Sequence, residues 1–354
     1  MRFVACRKNL LRFQYFFTTE DEILYLDQTT AFACIITFGP QPRYMLPSLA
    51  MRRFNPDSAL DLILNKLFDY AGMFPPAARS FSDALKEAAD HPLTLERPWM
   101  IGSDLVLDTA NSTLLASTDL SEYKLPKTIH VSVLASEGLD KAFNAAISLL
   151  NSKSFVKMKI AAIETKISTE SLSQDLAKLG VFIDEHKTLA AVEPDLSKSD
   201  WRDLLKIVVS NISASPHRPQ IALKCRSTGP TGIGPDKLAA AIVAACDAQI
   251  PFKVTGGFHH PIVEPQAHQY PMGFLNLAAA VLIRRSLGAA FPAEEISRLL
   301  VNDSIKSLSF DQSLNYNQTR ITLEELRKAK NMSPFSIGSC SIHEPDRDLL
   351  RLIP

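Results

Sequence analysis

The chain has 354 residues, 46% of them hydrophobic and 21% charged, with 38 basic residues against 38 acidic ones. A net charge of zero removes any broad electrostatic case for nucleic acid or an anionic membrane as partner, and the length suffices for one large α/β core. Five cysteines (Cys6, Cys34, Cys225, Cys246 and Cys340) are scattered without CxxC spacing, which argues against a disulfide framework or structural zinc and points to a reducing cytoplasm.

No apolar run approaches the roughly 20 residues needed to span a bilayer; the longest, AFACIITF at 31–38, is far shorter. The opening MRFVACRKNLLRFQYFF carries Arg2, Arg7, Lys8 and Arg12 without an acid, as organelle presequences do. It lacks their serine-rich character and runs straight into TTEDE. Residues 1–50 are therefore read as an N-terminal extension, and 51–354 as the folded domain.

Next in the chain, SALDLILNKLFDYAG spaces Leu60, Leu62, Ile63, Leu67 and Phe68 as a helix that ends at Gly72. The Pro75-Pro76 pair then forces an extended turn, and SFSDALKEAA at 80–89 predicts a second helix. After Trp99 strands and helices alternate. Strands are predicted at 104–107, 128–134, 155–161, 189–193, 221–226, 252–257, 305–310 and 335–339, and helices at 139–151, 170–186, 200–212, 235–248, 274–287 and 322–330. The last helix opens with a capping box, Thr322 to Glu325.

From Ile221 to Gly257 the chain has the length of a strand, a crossover helix and a parallel strand. Eight such strands over about 250 residues match a (β/α)8 TIM-like barrel. The competing open doubly wound sheet lacks its glycine fingerprint here, and no cofactor is expected.

The chemistry concentrates on two of the strands. In IALKCR, Lys224 shares a face with Ala222 and Arg226; in FKVTGG, Lys253 shares a face with Thr255. With the apolar residues turned to the helices, both lysines point into the barrel, where repulsion and desolvation would lower at least one pKa and free an amine to attack a carbonyl. The plain alternative is a half-exposed sheet with solvated lysines, since FVKMKIA shows the same alternation at Lys157 and Lys159.

Glu193, ending its strand, is a partner for Arg226 or Lys224 or a proton carrier. His259 is a candidate acid–base group; it and His260 follow Gly256-Gly257 and should point apart. A metal shared by one of them with His268, Glu264 or Glu193 defines a metal-assisted hydrolase alternative, but HxH and HExxH spacings are absent and no metal is expected. The loops STGPTGIGP, with Gly229, and GSCS, with Ser339 and Ser341, are candidate anion or substrate contacts, as is Gly257. Cys340 is read as a small buried thiol.

The stretches LKCRSTG (223–229) and FKVTGG (252–257) resemble class I aldolases of the deoxyribose-phosphate type. That resemblance implies Lys224 as the Schiff-base former and Lys253 as its perturbing neighbour, although the pair falls on the fifth and sixth predicted strands and the family's on the sixth and seventh. FDYAGMFPPAA, ALKCRSTG, PFKVTGGFHHPI, MGFLN and FSIGSCSIHEPDRDL together resemble a family of uncharacterised bacterial proteins, which implies one design after residue 55 and no activity. The expected function is an enzyme acting on a small oxygenated or phosphorylated carbonyl compound at Lys224, Lys253, His259 and Glu193, with Arg226 and Thr255 binding it. A barrel that only binds a small anion or a protein is the remaining class.

Overall fold

The alternation of strands and helices after Trp99 folds as parallel strands joined by helical crossovers, in a computed structural model that describes residues 52–263, 272–304 and 307–352 and the backbone of three strands between residues 14 and 37. The chain divides into two compact units, Met1–Ala50 and Met51–Pro354. The first holds an antiparallel meander of β1 (Gln14–Thr19), β2 (Glu22–Leu26) and β3 (Ala33–Thr37). The basic segment 1–13 lies outside the described residues.

In the second unit nine segments form one parallel sheet: β4 (Phe68–Tyr70), β5 (Ile101–Ser103), β6 (Leu105–Asp108), β7 (Thr128–Leu134), β8 (Lys157–Ile167), β9 (Leu189–Pro194), β10 (Ile221–Arg226), β11 (Phe252–Thr255) and β15 (Phe335–Ser339). The sheet runs β5-β4-β15-β11-β10-β9-β8-β7-β6. Its two ends, β5 and β6, are separated in the chain by Asp104 alone, so a single chain pass supplies both edges and closes the ring. Asp104 holds that join to β7: its N–H donates to His130 O at 2.9 Å, and its carboxylate accepts the His130 N–H at 2.7 Å. Eight passes with intervening helices make the expected (β/α)8 barrel. Among the described residues no helix is long and apolar enough to cross a membrane.

Two expectations about elements fail. The helix predicted across 58–72 stops at Leu64, and the chain turns through Lys66 at φ 53° into β4, the first barrel strand. Residues Phe68–Tyr70 are all buried, so their apolar character suits a two-sided buried strand as well as a helix face. The described part of the strand predicted at 305–310 is not in the barrel. Among the described residues of that segment only β12 (Leu308–Ser309) forms; it pairs antiparallel with β13 (Ser313–Tyr316), which pairs with β14 (Thr319–Thr322). The few residues between β12 and β13 allow a hairpin but no parallel crossover, which takes a dozen or more.

The outward residues of β10 and β11, Leu223, Cys225, Phe252 and Val254, are buried; each apolar side chain of this size stabilises by roughly 1.5–3 kcal/mol. Helix Phe274–Leu287, predicted at those bounds, is buried from Phe274 to Arg285, and the Thr322–Glu325 capping box is formed. Inside the ring, small residues (Ser103, Ser132, Ala191, Ala222, Ser336) line a cavity of about 360 Å³ at the N-terminal end of the strands, a place that bulky branched side chains fill in most barrels of this kind.

Candidate active site

Strands β10 and β11 pair in parallel with Lys224 directly beside Lys253. Both lysines point inward as the alternation requires, and both are buried, 3% and 5% exposed. Lys157 and Lys159, with the same alternation, are exposed; they stand at the start of β8, before a register shift in its pairing with β7.

Carboxylates from three other strands enclose the two amines. Lys253 Nζ lies 2.5 Å from Asp69 Oδ2 of β4 and 2.8 Å from Glu164 Oε1 of β8. Lys224 Nζ lies 3.0 Å from the other oxygen of Glu164 and 2.7 Å from Glu193 Oε2 of β9. Glu193 Oε1 accepts Arg226 Nε at 3.0 Å. The result is one row of alternating charge across the barrel: Asp69, Lys253, Glu164, Lys224, Glu193, Arg226. Asp69 is itself fixed by the Ser103 N–H at 2.9 Å and the Ser336 hydroxyl at 2.8 Å.

For Lys253 this row runs opposite to the lowering expected of at least one lysine of the pair. Burial alone pushes its ammonium pKa down, but Asp69 and Glu164 outweigh burial and hold it above the ordinary lysine value. Glu164 answers in kind: burial favours its acid form, yet Lys253 and Lys224 pull its pKa down to about 2. For Glu193 burial is likewise outweighed by Lys224 and Arg226, and its pKa is lowered.

Glu164, Lys224 and Lys253 from this row line the floor of a pocket of about 100 Å³ at the C-terminal ends of the strands, the space of about three liquid waters. Its walls include Arg226, Thr255, Gly257, His259 and Cys340, with Phe74, Pro75 and Pro76 from the loop after β4. The loops after β10 and β11 are tied together: Ser227 N–H donates to Thr255 O at 3.0 Å and Ser227 Oγ donates to Gly256 O. Gly256 and Gly257 have φ of 86° and 80°, and a Cβ on Gly257 would meet Thr228 Cγ2 at 2.7 Å, so glycine is required for the close approach.

The structure thus brings together Lys224, Lys253, Arg226, Thr255, Gly257 and His259 in one pocket, with Glu193 behind Lys224. Three expected contacts fall elsewhere. Gly229 is exposed and absent from the pocket wall. Ser339 Oγ donates to Ser341 O at 2.6 Å, so that loop bonds within itself, and Gly338 and Cys340 reach the pocket in place of the two serines. His259 and His260 do point apart: His259 Nε2 is 3.7 Å from Cys340 Sγ and its Nδ1 is 3.1 Å from Glu344 Oε2, whereas His260 Nδ1 is 2.8 Å from Asp348 Oδ2. Burial pushes the Cys340 thiol up, which keeps it protonated beside His259. Glu193 is held by cations and not by a histidine, so the metal set built on it is not assembled; His268 and Glu264 lie outside the described residues.

Sequence reasoning missed Glu164, which joins the two amines. The strand was expected to end at Ala161, but β8 runs to Ile167; the continuing IETKI, with its β-branched residues, was the available signal. Asp69, read with Tyr70 as capping the barrel bottom or lining a site, was placed at the end of a helix, and its contact with Lys253 was therefore missed.

A different lysine has the depressed amine expected of the pair. Lys330, on the wall of the N-terminal cavity, donates to Ile63 O at 2.9 Å, and burial followed by Arg285 pushes its pKa down to about 7. A lysine bound more weakly to its proton in the folded state costs stability at and below that pH, and the cost fades as pH rises towards the ordinary 10.5. Lys330→Met is therefore expected to stabilise the protein by roughly 1–3 kcal/mol near neutrality, with the gain disappearing in alkaline solution; denaturant unfolding at several pH values measures it.

No protein-family model, curated protein or solved structure matches the chain. The functional reading therefore stands on these residues and their geometry.

Proposed function

We propose that this barrel is a lyase or aldolase-like enzyme that forms an imine between Lys224 and a small carbonyl compound. The observation that carries the reading is the Glu164 carboxylate shared at 3.0 and 2.8 Å by two buried lysine amines on a pocket wall. Structural ion pairs seldom commit two lysines and three acids to the mouth of a barrel, where (β/α)8 enzymes carry their chemistry.

The resting network is charged, so the amine is freed within it. Lys224 passes a proton to Glu193, 2.7 Å away, and the neutral nitrogen adds to the carbonyl carbon. The proton that Glu193 took is then delivered to the carbinolamine oxygen, with His259 on the pocket wall as the candidate relay, which releases water, leaves an iminium and returns Glu193 to its ionised form. Ammonium plus carbonyl thus become iminium plus water with the charge unchanged. Glu164 and Glu193, which stabilise the resting ammonium, stabilise the iminium in the same way, and the loss of water leaves an electron sink beside the bond to be cleaved.

The order of the motifs, LKCRSTG before FKVTGG, resembles that of the deoxyribose-phosphate aldolases, and the lysines' location on the sixth and seventh barrel passes supports the resemblance. Arg226, whose side chain is 31% exposed above the row, suits a substrate that carries negative charge. The test is borohydride reduction of the protein in the presence of a panel of small aldehydes and keto acids. At least one probe is expected to add its mass less one oxygen atom to the chain, and failure of every probe would remove the basis for the proposal.

A further inference from the structure

Away from the lysine pocket, helix Phe81–Thr94 presents Glu87 and His91 one turn apart, and the C-terminal helix His343–Leu352 begins with His343 opposite them. One donor atom from each of the three lies within 4.8 Å of the others. His91 is 1% exposed, and its Nε2 has no hydrogen-bond partner among the described residues, a state that buried polar atoms avoid unless something else satisfies them. We propose that Glu87, His91 and His343 bind a divalent transition-metal ion of the zinc type, which clasps the C-terminal helix to helix Phe81–Thr94.

The donor set suits that class of ion. Two imidazoles and a carboxylate bind zinc at about 2.0–2.2 Å in a tetrahedron, and three protein ligands leave the fourth position for water. An open cleft lined by Asp83, Asp90, His343 and Glu344 gives access. Outer contacts already orient the carboxylate: the Tyr70 hydroxyl donates to Glu87 Oε2 at 2.5 Å, the kind of support that metal-ligating acids use.

Two cationic or polar groups now contact the Glu87 carboxylate. Arg79 Nε sits on Glu87 Oε2, and His343 Nδ1 is 3.2 Å from Glu87 Oε1. Arg79 is 42% exposed and His343 39%, so the guanidinium can turn to solvent and the imidazole has room to turn as the metal enters. The clasp requires none of the chemistry proposed for Lys224.

Calorimetric titration of the full chain, stripped with EDTA, with Zn²⁺ alone tests this, together with the absorption spectrum of the Co²⁺ form and melting curves with and without metal. The wild type is expected to bind one ion and to melt at higher temperature with it. His343→Ala should weaken binding by roughly tenfold or more, while Arg79→Ala, which removes the competing cation, should tighten it. Arg79→Ala decides the matter if His343→Ala fails to fold. Absence of binding by the wild type at micromolar Zn²⁺, unchanged affinity in either variant, or a thiolate-to-cobalt absorption band that puts the ion at Cys340 would each overturn the proposal.

Discussion

Glu164→Ala is expected to lower the unfolding free energy by about 3–5 kcal/mol at pH 7, the usual cost of removing one partner from a buried ion pair. Glu164 is 1% exposed and is the carboxylate that both lysines share. Without it, Lys224 and Lys253 stand side by side on adjacent strands with Asp69 and Glu193 only at the far ends of the row. The repulsion that the lysine alternation suggests for the wild type belongs instead to this variant.

The pH dependence identifies the effect. Glu164 has a folded-state pKa of about 2 against an ordinary 4.5, so its contribution is complete above 4.5 and is lost as pH falls towards 2. The gap between wild type and Glu164→Ala in urea unfolding should close over that acid window. A gap below about 1 kcal/mol at pH 7, in the range of exposed pairs, would mean that water reaches the row and screens it.

Asp346→Ala is expected to cost a similar amount, about 3–5 kcal/mol, through a different pair. Arg97 is 0% exposed, and its Nη1 lies 3.2 Å from Asp346 Oδ1. The other Asp346 oxygen accepts the Glu96 N–H at 2.7 Å. Arg97 Nε and Nη2 have no hydrogen-bond partner among the described residues, so removal of Asp346 leaves an enclosed guanidinium with almost nothing to offset its desolvation. The double variant Arg97→Met, Asp346→Asn should recover most of the loss, because it removes both buried charges and keeps an oxygen for the Glu96 N–H. Equilibrium unfolding of the two variants separates a buried charge from a simple packing defect, for which the double variant would be the worse of the two.

The parts of the site that were legible in the sequence are those that depend on strand periodicity. IALKCR and FKVTGG each place a lysine among residues of opposite facing, and two strands joined by one crossover helix are adjacent in the barrel; those two facts suffice to put Lys224 beside Lys253. The counter-charges were not legible because they depend on strand order and register around the ring. Asp69 sits in LFDY, where Leu60, Ile63, Leu67 and Phe68 have a helical spacing that the left-handed residue Lys66 interrupts. Glu164 lies beyond a register shift that breaks the alternation of FVKMKIA. With Asp69 and Glu164 missing, the two amines looked mutually repulsive, with at least one of them neutral; with them in place, Lys253 is held charged. Ring closure has the same character, since nothing local to IGSDLVLD announces that its two halves pair with different neighbours.

The central claim is that the amine held between Glu164 and Glu193 is the one that reacts with carbonyl compounds. The most direct measurement is peptide mapping by mass spectrometry of the borohydride-reduced adduct in the wild type, Lys224→Met and Lys253→Met. The account predicts a single modified lysine in the wild type, Lys224, and no adduct in Lys224→Met. An adduct that persists in Lys224→Met, or that maps in the wild type to Lys330 with its depressed pKa, would contradict it and move the carbonyl chemistry to the opposite end of the barrel.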